Sequence, residues 1–507
     1  MPVLGALIKQ GLKLGAKVKL FEWSPEKHQN RVLKNLLSKA EFTSFGKNYN
    51  FSKILESKNI ASAFQAEVPV FNYNSIFDKW WNRCLREERD VCWPGYVRYF
   101  ALSSGTSDSA SKHIPVTDAM MRALRRASIR HIITLGKYDL PSSFFTKGIL
   151  WLGGSTDLNQ QGGYFEGDVS GISAKKVPIW FQRYYKPGNE ISKVRDWNIK
   201  LEEITLQAKN WDIGIITGVP AWIQILLEKI IAHYKVDTIH DIWPNLRVYA
   251  HGGVSFEPYR NNFSKFFSKP VYYIEMYPAS EGFIAFQDTP ESRNMKLILN
   301  NGIYYEFVPF SEDNFDENGE LRENPQALTI NKVQTGVDYA LLLSTCAGAW
   351  RYLIGDVIRF TDTEKCEIII SGRTKHFLSL VGEHLSVENM NSAIARVSAE
   401  LKIDIREYTV SGIPYDGTFA HQWYLGVNGD ADNKEIKHQL DSILKELNDD
   451  YAVERGSALK DIFVDTLPVE HFYNFMKSKG KLGGQNKFPR VLKSSQLEEW
   501  KSYLKNN

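Results

Sequence analysis

Trp211-Asp212-Ile213-Gly214-Ile215-Ile216-Thr217 is followed at once by Gly218-Val219-Pro220 and the strongly apolar run Ala221–Tyr234. The first run is short, apolar and rich in β-branched residues, as a buried strand is. Gly-Val-Pro then turns the chain into a helix. The same alternation recurs on both sides. A strand is expected over Leu246–His251, ending in Gly252-Gly253, and another over Pro270–Met276, ending at Tyr277. Gly148–Leu152 reads likewise and stops at Gly153-Gly154-Ser155. Strands alternating with helices build an open α/β sheet, whose ligands sit at the strands' C-terminal ends.

Downstream the character changes. From Gly302 to Arg359, short runs such as Ile303–Val308 and Ala340–Leu343 alternate with turns such as Glu317-Asn318-Gly319, the pattern of an antiparallel sheet or barrel. Glu367–Ser371 is one more strand. A boundary near residue 374 divides a large N-terminal domain, 1–374, from a small α+β domain, 375–507. The latter is read as a helix over Ser386–Leu401, strands over Tyr408–Pro414, Gln422–Val427 and Lys460–Val464, and a long helix over Asn433–Leu447. Residues 22–90 read as a helical scaffold, and Gly162–Ser173 as a glycine-rich loop.

A second stretch carries the chemistry. Leu102-Ser103-Ser104-Gly105-Thr106-Ser107-Asp108-Ser109-Ala110-Ser111-Lys112 follows the strand-like run Tyr96–Leu102 and precedes a helix over about Asp118–Leu135, with Thr117 as its N-cap. Such a loop can turn backbone N–H groups and hydroxyls on an anion, and Lys112 adds a point charge. A polyphosphate is the ligand this composition suits; a solvated serine-rich turn is the bland alternative. Neither G-x-x-x-x-G-K-[ST] nor a G-x-G-x-x-G after a strand occurs, so the loop is neither a Walker loop nor a dinucleotide fingerprint.

Composition excludes more than it selects. With 62 basic and 59 acidic residues the formal charge is +3, which gives no reason to expect nucleic acid as a partner. Hydrophobic content of 43% is that of an ordinary soluble protein. The 13 Trp, 24 Tyr and 28 Phe suit either a large core or a pocket for a planar ligand. Cys84, Cys92, Cys346 and Cys366 lack metal-ligand spacing, so reduced thiols in the cytoplasm are expected. Residues 1–21 intersperse apolar residues with Lys9, Lys13, Lys17 and Lys19, without the core or cleavage site of a signal peptide. They read as an amphipathic helix packed on the protein's own body, with weak contact to a membrane surface as the alternative. No stretch approaches a transmembrane span.

Four further motifs complete a pattern. Ser103–Ser107 with Lys112 and Pro115 resembles the first ATP motif of the auxin-responsive acyl acid amido synthetases, members of the adenylate-forming superfamily. Tyr277-Pro278-Ala279-Ser280-Glu281 resembles their second motif, and Arg351-Tyr352-Leu353-Ile354-Gly355-Asp356 their third, here with extra residues between Arg351 and Asp356. Gly372-Arg373-Thr374-Lys375 through Gly382-Glu383 is similar to the superfamily's hinge motif, and Lys487-Phe488-Pro489-Arg490-Val491 to the family's C-terminal lysine motif. The motifs occur in the family's order over most of the chain.

The resemblance implies a firefly luciferase-like architecture: a large domain of α/β sheets plus a β-barrel, and a small lid swinging at Lys375. It implies ATP and Mg²⁺, with a carboxylic acid and an amino acid as small-molecule partners. An acyl-adenylate forms first, and its acyl group then passes to the amine. Ser103, Ser104, Thr106, Ser107 and Lys112 would donate to the phosphates, and Glu281 would hold Mg²⁺. Tyr277 would offer a face to adenine, with Ser280 beside it. Asp356 and Arg373 would hold the ribose, and Lys487 would meet the charge crowding at the α-phosphate. Gly252 and Gly253 would line the nucleotide by backbone, and Val219, Trp222 and Val254 the acyl group. A thioester-forming acyl-CoA ligase and a catalytically silent nucleotide- or acid-binding protein are the alternatives.

Overall fold

The computed structural model of the chain describes every residue except 1, 18–23, 104–111, 254–255, 317–318, 375–377, 379, 381–382, 384, 386, 417, 430, 457–458, 481–487 and 507. Two units emerge. One holds Met1–Gly253, Phe267–Asn314 and Glu323–Ile369; the other holds Val254–Phe266, Phe315–Arg322 and Ile370–Asn507.

The large unit is organised on a sheet of 11 strands. Ile213–Gly218 lies inside it, parallel to Gly148–Trp151 on one side and to Val248–Gly252 on the other. Ile213 and Ile216 are fully buried, as a strand covered on both faces requires. The parallel crossover needs a helix, and Pro220–Tyr234 supplies it, with proline in the first turn where its missing N–H costs nothing. Tyr272–Ala279 adds a further parallel strand beside Val248–Gly252.

From there the sheet turns antiparallel. Tyr272–Ala279 pairs with Gly282–Phe286, that strand with Met295–Leu297, and that one with the strand starting at Glu367. Tyr352–Asp362, Asp338–Thr345 and Ile303–Pro309 follow in order to the edge. The strands expected to form a barrel are, among the described residues, the open continuation of the parallel sheet. Met295–Leu297 is the reason, because it pairs on both sides and so joins the two halves.

A separate four-stranded sheet contains Lys112–Val116, Tyr99–Ser103, Tyr164–Gly167 and Asn159–Gln161. Two expectations change here. Between the serine-rich segment and the helix stands a strand the sequence did not announce, Lys112–Val116, antiparallel to Tyr99–Ser103 with Ser103 facing Lys112. The stretch read as a glycine-rich loop holds the strand Tyr164–Gly167 and the helix Val169–Ala174. The helix Asp118–Thr134 begins as expected, with the Thr117 side chain accepting from the Met120 N–H.

Much of the aromatic content is core. Phe45 stacks on Trp350 at 5.7 Å, and Phe51 and Phe64 meet the same indole edge-on. Gln29, buried on the helix Pro25–Ala40, donates to Leu299 O and Ile303 O and accepts from Tyr305 N, pinning the N-terminal helices to the antiparallel strands. The four cysteines are free and buried.

The small unit is a three-stranded sheet in which Thr418–Val427 is antiparallel to Ile405–Tyr415 and parallel to Leu459–Pro468. The helix Asn433–Leu447 buries Ile436, Leu440, Ile443 and Leu444, the i, i+4, i+7, i+8 stripe of an amphipathic helix. Phe472, Phe475, Phe488 and Trp500 form a second core.

Candidate active site

The parallel strands finish side by side. Gly218 is in register with His251, and Gly252 with Met276, so Val219, Gly253 and Tyr277 lie at the carboxyl ends of neighbouring parallel strands. Gly252 has no room for a side chain there: a Cβ would stand 2.4 Å from the Met276 carbonyl oxygen. Gly253 takes φ +89°, which disfavours other residues. Both glycines thus leave backbone, not side chain, at this rim.

Tyr272–Ala279 then reverses through Ser280 and Glu281 into Gly282–Phe286, so the second motif is a hairpin turn. Ser280 and Glu281 are buried in it. The third motif is a bulge. Leu353 pairs with Leu342 and Val357 with Ala340, so Ile354-Gly355-Asp356 is longer than the strand it faces. Gly355, at φ +89°, makes the fold in the chain that re-aims Asp356. Across 79 residues of sequence the Tyr277 hydroxyl donates to the Asp356 carboxylate, with both side chains buried. The second and third motifs are therefore one polar cluster.

Other motif residues have structural partners. Arg351 is 5% exposed; its Nε donates to Glu306 at 3.0 Å, and it also donates to Gln65 O and Val68 O. Trp222 stacks on Trp197 at 4.8 Å, which commits its ring to helix packing, while Val219 caps the same helix at the strand end. Lys112 lies with its Nζ 5.4 Å from the Tyr73 ring. Arg373 is exposed at the end of the strand Glu367–Arg373, in the small unit. Ser104, Thr106, Ser107, Val254, Lys375 and Lys487 lie outside the described residues, as does the side chain of Ser103.

Sequence reasoning missed several supports. The Tyr73 hydroxyl accepts from His113 N at 2.9 Å, and His113 Nε2 meets Glu166 at 3.0 Å, bracing the strand that leaves the serine-rich segment. Nothing in the spacing of Tyr73 announces this. A cavity at the end of Gly148–Trp151 is lined by Trp151, Gly153, Gly154, Tyr185 and Lys200. Burial there lowers the Lys200 ammonium to about 8 and raises the neighbouring Asp168 carboxyl.

In the small unit the residues after Lys487 are anchored. Arg490 Nη1 donates to Glu407 at 2.6 Å and to Tyr408 O, and its guanidinium lies 4.4 Å from the Tyr408 ring. Val410 and Val491 form a parallel bridge, and Thr409 donates to Pro489 O. Glu383 of the hinge motif accepts from Leu380 N and from His421 at 2.9 Å, inside a turn closed by Leu378 and Leu385.

Three family models match the chain in order: the GH3 family N-terminal domain over 15–208, its central domain over 296–369 and its C-terminal domain over 388–496. Together they take in well over half of the residues. The chain belongs to the GH3 family. Among curated relatives, a jasmonoyl–L-amino acid synthetase of Nicotiana attenuata is 27% identical over 39% of this chain and 35% of its own length. An indole-3-acetic acid-amido synthetase of Arabidopsis thaliana is 24% identical over 37% of this chain and 34% of its own. The GH3 chain thus aligns with about a third of the length of these relatives. Among solved structures, the GH3.15 acyl acid amido synthetase superposes with a TM-score of 0.76 at 17% identity, covering 100% of this chain and 96% of that one. A 2-hydroxyisobutyryl-CoA ligase gives 0.59 at 12% identity over 95% and 92%. These show that the GH3 chain shares the fold of those two enzymes.

Proposed function

We propose that this chain is an ATP-dependent acyl acid amido synthetase. The observation that carries the reading is the Tyr277–Asp356 hydrogen bond at the carboxyl edge of the parallel strands. It unites two motifs that an adenylating enzyme needs in one place, at the edge where open α/β sheets bind their ligands. The curated relatives named as amido synthetases favour an amine as the acyl acceptor.

In this mechanism a carboxylate oxygen of the acid attacks the α-phosphorus of ATP, and pyrophosphate leaves. The amine nitrogen of an amino acid then attacks the acyl carbon, and AMP leaves. Asp356 accepts the ribose hydroxyls. Tyr277 flanks the adenine, and Gly252 and Gly253 admit the nucleotide close to the backbone. Ser103, Ser104, Thr106, Ser107 and Lys112 donate to the phosphates. By their motifs, Arg373 is assigned to the ribose and Lys487 to the charge at the α-phosphate. Val219, with Trp222 behind it, borders the acyl group.

Glu281 suits Mg²⁺. Mg²⁺ takes one or two carboxylates plus phosphate oxygens, and Glu281 is one buried carboxylate at this turn. Glu281 would hold the ion from the hairpin turn, where it would supply charge neutralisation for the departing pyrophosphate.

The test is acid-dependent ATP–pyrophosphate exchange over a panel of aromatic, fatty and keto acids, without acceptor. Exchange with one acid, followed by amide formation with an amino acid but no thioester with coenzyme A, supports the reading. Silence across the panel, in protein shown to bind ATP, overturns it.

A further inference from the structure

The helix Pro2–Lys17 is docked by one face and open on the other. Its inner face is held closely. A Cβ on Gly5 would stand 2.2 Å from the Ser142 carbonyl oxygen, and one on Gly136 would stand 2.6 Å from the backbone of Leu12. Lys9 Nζ donates to Leu140 O at 2.5 Å. The outer face carries Val3, Leu4, Leu7 and Leu14, exposed by 73%, 43%, 61% and 59%. At the pitch of an α-helix, Val3, Leu14, Leu7 and Leu4 fall in that order within an arc of about 100°. Four of the 13 large apolar side chains left exposed among the described residues lie on this one helix.

Charge selects what covers the stripe. Residues 1–21 contain Lys9, Lys13, Lys17 and Lys19 and no Asp or Glu, although the whole chain is nearly balanced at 62 basic and 59 acidic residues. A second copy of the helix would bring lysines against lysines with no carboxylate to meet them. A surface that is apolar below and anionic at its rim matches both features. We propose that this helix seats the protein on anionic membrane surfaces, with Val3, Leu4, Leu7 and Leu14 in the headgroup–acyl boundary and Lys13 beside them at the phosphates. Docked along the protein and only 16 residues long, the helix lies in the plane of the bilayer. No helix among the described residues is long and apolar enough to cross a membrane.

Flotation of the full chain with vesicles tests this directly. The protein is expected to float with phosphatidylcholine–phosphatidylglycerol vesicles and to stay behind with phosphatidylcholine alone. Lys13→Gln should lower the partition roughly fivefold. The double variant Leu7→Gln/Leu14→Gln should lower it by tenfold or more. These side chains are exposed, so far-UV circular dichroism and the urea midpoint should match wild type, and pyrophosphate exchange should be unchanged. No flotation of wild type, or equal flotation of the leucine variant, overturns the proposal. So does sedimentation showing a wild-type dimer that the leucine variant abolishes, which would assign the stripe to a second copy.

Discussion

In the large unit, Asp356 accepts from the phenol of Tyr277; in the small unit, Glu407 accepts from the guanidinium of Arg490. Both carboxylates are buried, and both belong to or touch a motif. A phenol orients a carboxylate and leaves its charge in place, whereas a guanidinium neutralises it. The first arrangement orients the carboxylate through a neutral hydroxyl. The second uses a charge to fix the chain, here the Phe488–Leu492 segment. The two buried carboxylates thus differ in the group that orients each, a neutral hydroxyl or a cation.

Stability should separate the two most sharply. Arg490→Met leaves Glu407 buried without its cation and is expected to cost about 3–5 kcal/mol in urea unfolding. Asp356→Asn should cost less than about 1 kcal/mol, because the Tyr277 hydroxyl can still donate to the amide oxygen. Equal losses would erase the distinction.

Activity should reverse the order. Asp356→Ala should lower acid-dependent pyrophosphate exchange by about a hundredfold, and Tyr277→Phe by about tenfold, with circular dichroism unchanged. Exchange that survives Asp356→Ala would place this carboxylate with Glu407 as scaffold.

Two histidines extend the contrast to pH. His421 in the small unit bonds Glu383, while His131 in the large unit rests against Phe286 and its Nε2 has no hydrogen-bond partner. Burial lowers both, and takes His131 down to about 4. The unfolded chain then binds a proton that the folded chain refuses, so stability falls as pH drops from about 6.5 toward 4. His131→Phe should remove about 2 kcal/mol of that loss between pH 7 and pH 4.5, read as urea midpoints at each pH. An unchanged acid limb would mean that His131 titrates normally.

Gly355→Ala is the mildest probe. At φ +89° a Cβ should cost about 1–2 kcal/mol and slacken the aim of Asp356, seen as a raised KM for ATP. A variant with unaltered stability and KM would show that the bulge does not set that aim.

How far the sequence could be read depends on the range of the forces involved. Strands such as Ile213–Gly218 and the cap at Thr117 are local in origin, and composition displays them. Lys112–Val116 was hidden by Pro115, which argues against a strand unless the strand lies at an edge, as this one does. In Val169–Ala174 a glycine read as loop is there for close approach: a Cβ on Gly171 would stand 2.1 Å from Ser155 O. The motifs named the candidate site residues by type, but the bond from Tyr277 to Asp356 spans the fold and has no signature in spacing. The same holds for Arg351, whose side chain pairs with Glu306 across the fold.

The bulge at Ile354-Gly355-Asp356 has a consequence for how such proteins diverge. Residues taken up in a bulge leave the pairing on either side intact, here Leu342 with Leu353 and Ala340 with Val357. The interval between Arg351 and Asp356 can therefore lengthen or shorten among relatives while the carboxylate keeps its station. A search pattern with fixed spacing would discard chains whose sites are whole; one anchored on the flanking apolar pairs would keep them.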